Sequence, residues 1–137
     1  MAGKTRAEGR HGHAKAPPPL QRPADERPTL FLRIKFGSRA HLGPGKIELM
    51  ELIETLGSIS AAGKAMGMSY RRAWLIIDGL NALFAEAVVV KQTGGSGGGG
   101  AVLTDLGRDI VRRYRRIERS AVEQSAADLK ALAKALA

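Results

Sequence analysis

Alternating apolar and basic positions predict a β-strand ahead of the first helix. In the segment LFLRIKF, Leu32, Ile34 and Phe36 alternate with Arg33 and Lys35. This is the period of a strand that keeps one face in the core and one in water.

Helical spacing begins after the Gly-Pro-Gly break that follows this strand. Pro44 suits a first helical turn, and Gly57 suits the end of the helix. The predicted inward side chains of this helix are Ile47, Met50, Leu52, Ile53 and Leu56.

The segment SISAAGKAMGMSYRRAWLIIDGLNALF predicts two helices joined by a tight turn. The first runs from about Ser60 to Met66. Gly67 suits the left-handed residue that ends it, and Ser69 is a natural N-cap for the second. The predicted inward residues are Ile59, Ala62, Ala65 and Met66, then Ala73, Trp74, Ile77, Leu80 and Phe84. Core packing is thus the interpretation of Trp74, whereas Arg71, Arg72, Leu75 and Asp78 fall towards the other face.

Two short strands and a last helix complete the pattern. The strands are VVVKQ (88–92) and AVL (101–103), and Thr104 can cap a long helix from Asp105. Its predicted apolar stripe is Leu106, Ile110, Tyr114, Ile117, Ala121, Leu129 and Leu132. Its outer side is basic, with Arg108, Arg112, Arg113, Arg115, Arg116 and Arg119.

The glycine-rich stretch between these strands, TGGSGGGG, has several interpretations. Gly95, Gly97 and Gly100 match G-x-G-x-x-G, but a strand pattern follows where a dinucleotide fold needs a helix. A phosphate loop would need Lys-Ser or Lys-Thr after the last glycine. A linker would need a second domain after it, and one strand and one helix are too little. A hairpin tip remains, either one that orders on contact with a partner or a flexible turn.

The predicted fold is mainly α with a small β-hairpin: a winged helix-turn-helix followed by a long C-terminal helix. Residues 1–28 are expected to form a disordered basic arm, because they are rich in Gly, Ala, Pro and Arg and lack periodic apolar positions. Residues 29–104 are expected to form the winged helix-turn-helix, a fold typical of DNA-binding domains. Residues 105–137 form the long C-terminal dimerisation helix.

Charge directs the functional interpretation towards nucleic acid. The 137 residues include 22 Lys and Arg against 13 Asp and Glu, a net charge of +9. Such a basic protein usually binds polyanions, although a well-solvated surface is the alternative. Cysteine is absent, which excludes disulfides and thiolate chemistry. No apolar run approaches membrane-spanning length, so a cytoplasmic, nucleoid-associated protein without a membrane partner is expected.

Catalytic and cofactor chemistry is not expected from this sequence. The carboxylates of Glu48, Glu51 and Glu54 fall along one surface helix, where solvated charge is the simple interpretation. His11 and His13 lack the further ligands that a metal site requires. We therefore predict no enzyme activity, no cofactor and no metal.

The candidate DNA-contacting residues lie in three groups. At the start of the second helix of the turn, base edges or phosphates would be contacted by Ser69, Tyr70, Arg71 and Arg72. On the preceding helix, backbone contacts are predicted for Ser58, Ser60 and Lys64. In the hairpin they are predicted for Lys91, Thr93, Gly94, Gly95, Ser96 and Gly97. The alternative for Arg71 and Arg72 is solvated helix charge.

The segments GSISAAGKAMGMSYRRAWLIIDGLN and TGGSGGGGAVLTDLG resemble the N-terminal DNA-binding domain of the ModE family of molybdate-responsive transcriptional regulators. A more distant resemblance is to LysR-like helix-turn-helix regions. The resemblance to the ModE family covers about Leu30 to Ala121, and its specific pieces are SYRRAW and TGGSGGGGAVLT. The resemblance implies a winged-helix regulator that dimerises and binds a palindromic operator. It places Ser69, Tyr70 and Arg71 on the recognition helix.

The resemblance also implies a molybdate-binding domain after the long helix, for which 137 residues leave no room. Whether molybdate is sensed directly therefore stays open. The alternatives are another signal, a separate sensor protein or constitutive DNA binding. The predicted partners are double-stranded DNA and a second copy of the chain. Two other functions remain open: a sequence-tolerant nucleic-acid-binding protein and a protein-interaction adaptor.

Overall fold

Five helices and two antiparallel hairpins make up residues 28–92 and 99–137, the part of the chain described by the computed structural model. The mainly helical class is confirmed, with one more hairpin than predicted. Except for residue 28, the predicted N-terminal arm lies outside the described residues. The elements are β1 (Ile34–Phe36), β2 (Ala40–Leu42), α1 (Pro44–Leu56), α2 (Ile59–Ala65), α3 (Tyr70–Leu83), β3 (Val89–Gln92), β4 (Gly100–Leu103), α4 (Asp105–Gln124) and α5 (Ala126–Lys134).

The extra hairpin is formed by β1 and β2. Ile34 pairs with Leu42 in antiparallel register, and Gly37 in the turn has a φ of 58°. Phe36 packs edge-on against Phe84, the residue that follows α3, with ring centroids 6.1 Å apart. The predicted strand over 30–36 is therefore correct only for its last three residues, because β2 pairs with no more of it.

Helix α1 supplies the centre of the core. Its buried side chains are Ile47, Leu49, Met50 and Ile53. Leu49 is fully buried although it was not among the predicted inward residues. Leu56 was predicted inward, and that prediction is wrong: the side chain is 47% exposed. The chain turns at Gly57, whose φ is 70°, so no further turn of α1 covers it.

Helices α2 and α3 pack closely through small residues. An added Cβ at Gly63 would lie 2.8 Å from the Cβ of Ala73, so α3 approaches α2 almost backbone to backbone. Ala62 and Ala73 are fully buried. Ala65, predicted to point inward, is exposed because it lies at the end of α2, where the chain turns towards α3.

The β3–β4 hairpin is attached to the helices at two points. The side-chain oxygen of Asn81 in α3 accepts hydrogen bonds from the backbone N–H groups of Val88 and Val89, at 2.8 and 3.1 Å. Its amide nitrogen donates to the Val89 carbonyl at 3.0 Å. On β4, the Ala101 N–H donates to the carbonyl of Gly57 at 2.9 Å. The hairpin is thereby fixed to α3 and to the α1–α2 turn.

Helix α4 closes the core against α1 and the hairpin. Thr104 caps it as predicted: its hydroxyl accepts from Gly107 N–H at 3.0 Å and donates to the Ala87 carbonyl at 2.7 Å. Tyr114 is buried, which raises the pKa of its phenol, and it donates to the Leu32 carbonyl at 2.6 Å. This bond holds the segment before β1 against the helices.

The predicted long C-terminal helix is interrupted at Ser125. This residue has φ −100° and ψ 2°, and its hydroxyl donates to the Ala121 carbonyl at 2.6 Å. Such a bond from a serine to the carbonyl four residues earlier competes with regular helix geometry. The predicted apolar stripe is buried only near its start: Ile117 is 48% and Leu132 66% exposed, and α5 has no buried residue.

Candidate nucleic-acid interface

The start of α3 presents three exposed side chains that suit nucleic-acid contact. Tyr70 is 57% exposed, and Arg71 and Arg72 are exposed as well. The Ser69 hydroxyl accepts a hydrogen bond from Arg72 N–H at 3.2 Å, which is the predicted N-cap. The next residue, Ala73, is buried, so packing fixes which face of this helical turn remains outside.

Four of the predicted contact residues converge on one groove. It has a volume of about 300 Å³ and lies between the starts of α2 and α3 and the β3–β4 hairpin. Ser58, Ser60, Tyr70 and Lys91 line it, together with backbone of β4. We call it the hairpin groove. The described residues that line it include no carboxylate.

Trp74 packs against the core, as predicted, and it also lines the hairpin groove. The side chain is only partly buried. Its ring meets Tyr70 edge-on, with centroids 6.1 Å apart and planes at 83°. The Lys91 ammonium lies 4.3 Å from the centre of the Trp74 ring. Helical spacing alone identifies Tyr70 as a neighbour of Trp74, because residues four apart lie on the same face of a helix. The contact with Lys91 depends on how the hairpin docks.

Other predicted contact residues lie outside this groove. Lys64, Arg71 and Arg72 are exposed on α2 and α3, and within residues 28–92 and 99–137 none of them has an ion pair. The predicted hairpin-tip contacts fall outside the described residues: Thr93, Gly94, Gly95, Ser96 and Gly97.

The arginines of α4 are largely occupied by acidic neighbours. Arg108 contacts Glu54 at 2.8 Å and lowers the pKa of that carboxyl, and Arg115 bridges Glu51 to Glu118. Arg112 and Arg113 both contact Asp109, whose pKa is lowered chiefly by Arg113. The interpretation of Glu51 and Glu54 as merely solvated charge is therefore wrong, because both tie α1 to α4.

The described part of the chain offers neither a metal site nor a membrane-spanning helix. No cluster of three or more His, Asp or Glu side chains there is placed to hold a metal ion. No helix there is long and apolar enough to cross a bilayer.

Comparison with known proteins gives relatives that share part of this chain; no family model matches it. "Molybdenum transport protein ModE" of Azotobacter vinelandii is 48% identical over 77 residues, 56% of this chain and 28% of the relative. "DNA-binding transcriptional dual regulator ModE" of Escherichia coli (strain K12) is 36% identical over 100 residues, 73% of this chain and 37% of the relative. "Molybdenum-pterin-binding protein MopB" of Rhodobacter capsulatus is 42% identical over 79 residues, 58% of this chain and 29% of the relative.

The chain spans about a third of the length of these curated relatives. Their names are those of a transcriptional regulator, a molybdenum transport protein and a molybdenum-pterin-binding protein, not of enzymes. Over part of its length, the chain is therefore homologous to proteins named ModE and MopB.

Proposed function

We propose that this chain is a DNA-binding transcriptional regulator of the winged helix-turn-helix type. Helices α2 and α3 are its helix-turn-helix, and β3–β4 is its wing. The observation that carries the proposal is the exposed, capped start of α3, with Tyr70, Arg71 and Arg72 beside a groove whose described lining has no carboxylate. The E. coli relative named as a DNA-binding regulator supports it.

Each exposed group has a role that fits its chemistry. Arg71 and Arg72 extend from the first turn of α3, the part of a recognition helix that reaches base edges in the major groove. Arginine forms paired hydrogen bonds with guanine or with a phosphate. The sugar-phosphate backbone is contacted by the hydroxyls of Ser58 and Ser60 and by the ammonium groups of Lys64 and Lys91. These contacts set the register of the domain on the duplex.

We further propose that two copies of the chain bind a palindromic operator. The motivation is apolar surface left uncovered in one copy: Phe31 is 78% exposed, and Ile117 and Val122 on α4 are 48% and 40% exposed. A dimer would bury part of this surface. Half-sites would lie one helical turn, about 34–36 Å, or a multiple of it apart.

Arg71→Ala tests the role of the α3 start. If Arg71 reads a base, the loss should cost about 1–3 kcal/mol of binding free energy on the preferred duplex and relax specificity at one position. Arg116→Ala, which removes the same charge from an exposed position on α4, is the control and should leave sequence preference unchanged. Both are measured by fluorescence anisotropy with the selected duplex and single-base variants of it.

The same titrations distinguish the other roles of Arg71. A phosphate contact would weaken binding evenly on all sequences and reduce the salt slope by about one. If Arg71→Ala changes affinity no more than Arg116→Ala does, α3 is not the reading element, and the assignment of the helix-turn-helix fails.

A further inference from the structure

Trp74 is the point at which α3 and the hairpin meet on the exposed side of the protein. Its ring has two partners from different elements: Tyr70 at the start of α3, and Lys91 on β3. Both partners are exposed, and both line the hairpin groove. Trp74 packs against the core but is only partly buried, whereas Ile77 and Leu80 of the same helix are buried.

We propose that Trp74 is a positioning residue that holds Lys91 and Tyr70 at the hairpin groove, and that this groove binds one phosphodiester of a nucleic-acid backbone. The inference rests on the proposed function, which names nucleic acid as the partner. It adds the place where a backbone phosphate binds, and a role for Trp74 besides its packing against the core.

The chemistry of the groove fits a single phosphate. Lys91 supplies a positive charge, and Ser60 supplies an exposed hydroxyl. The Ser58 oxygen accepts from Ala61 N–H at 3.1 Å, and its hydroxyl can still donate to an anion in the groove. Since the described lining has no carboxylate, an anion there meets donors and no repelling charge.

Lysine needs such positioning more than arginine does. Its ammonium sits on a flexible four-carbon stem, and ordering that stem on binding costs side-chain entropy. The face of an indole ring attracts a cation, so Trp74 reduces the freedom of Lys91 before nucleic acid arrives. The edge-on contact limits Tyr70 in the same way.

The test is a double-mutant cycle on DNA affinity with Trp74→Leu, Lys91→Met and the double variant. Lys91→Met keeps most of the stem and removes the charge. Trp74→Phe is the conservative rescue, and Lys130→Met on exposed α5 is the matched charge control. Each protein is titrated against its selected duplex and a random duplex at several salt concentrations, and thermal unfolding verifies that each remains folded.

We expect Lys91→Met to reduce the salt slope by about one and Lys130→Met to leave it unchanged. Trp74→Leu should weaken binding to both duplexes by about fivefold. In the Lys91→Met background the same change should cost less than about twofold, because the ammonium that Trp74 holds is gone. Trp74→Phe should recover most of the loss.

Two results overturn the inference: an unchanged salt slope in Lys91→Met, or an equal effect of Trp74→Leu with and without the Lys91 charge. The second result would make Trp74 only a structural contact between α3 and the hairpin. If the wild type binds both duplexes equally, the proposal of sequence-specific regulation fails. The salt slopes of the variants then still test whether the hairpin groove binds a phosphate. If it binds neither duplex, both proposals fail.

Discussion

Gly107→Ala is expected to lower the free energy of unfolding by about 3 kcal/mol, near the upper end for an overpacked site. An added Cβ at this position would overlap the carbonyl oxygen of Val88. That oxygen is backbone, and it already accepts a hydrogen bond from Thr104 N–H at 3.0 Å. Relief of the clash therefore requires α4 to move away from the start of β3.

The other contacts of this junction oppose such a movement. Thr104 joins the start of α4 to Ala87 through its hydroxyl, and Leu103 and Ile110 on either side are buried. Shifting α4 would loosen these contacts together. The gain in helix propensity from glycine to alanine, about 1 kcal/mol in a helix interior, is too small to offset the clash.

Thermal and urea unfolding of Gly107→Ala measure this prediction, with Gly79→Ala as the control. Gly79 lies within α3 and is exposed, and no atom lies within 4 Å of its added Cβ. There the same substitution should stabilise the protein by about 0.5–1 kcal/mol. Equal stability changes in the two variants would contradict the close packing of α4 on the hairpin.

Asn81→Leu is expected to destabilise the protein by about 3 kcal/mol and to free the β3–β4 hairpin from α3. Leucine has the same branched arrangement of four side-chain heavy atoms as asparagine but none of its polar groups. The substitution removes three hydrogen bonds to the backbone of Val88 and Val89. Both valines are buried, so water replaces these bonds poorly, and an unsatisfied buried group costs about 1–3 kcal/mol.

Amide hydrogen exchange locates this effect, and unfolding measures its size. Protection of the Val88 and Val89 amides should fall more than that of Ile53 in the centre of α1. Gln124→Leu, an exposed amide near the end of α4, is the control and should change stability by no more than about 0.5 kcal/mol. Unchanged protection of the two valine amides in Asn81→Leu would show that Asn81 does not anchor the hairpin.

The parts of the fold that were predictable are set by residues close together in sequence. Ser69 and Thr104 cap α3 and α4 through bonds to the residue three positions later. Gly57 and Gly67 end helices with φ near 70°, where glycine is favoured. These signals are local, so one sequence reveals them. Apolar periodicity wrongly predicted burial of the side chains of Leu56, Ala65 and Ile117. Periodicity shows which face of a helix is apolar but not whether another element covers it.

The parts that were missed depend on contacts between distant segments. Glu54 meets Arg108, and Glu51 meets Arg115, 64 residues away. No local pattern identifies such partners, so α4 was predicted to carry an open basic face. Trp74 has the helical position of a core residue, and only the docked hairpin brings Lys91 over its ring. The candidate site was thus predicted as separate groups of residues, without the groove that joins four of them.

Sequence preference in DNA binding tests the proposed regulator most directly. A duplex selected by the protein from random DNA is titrated in competition with a scrambled duplex of equal length at physiological salt. We predict a palindromic selected sequence and a preference for it of about 10³-fold or more, the usual range for specific DNA-binding proteins. A preference below about tenfold, or no recurring sequence among the selected molecules, would contradict the proposed function and favour sequence-tolerant binding through positive charge.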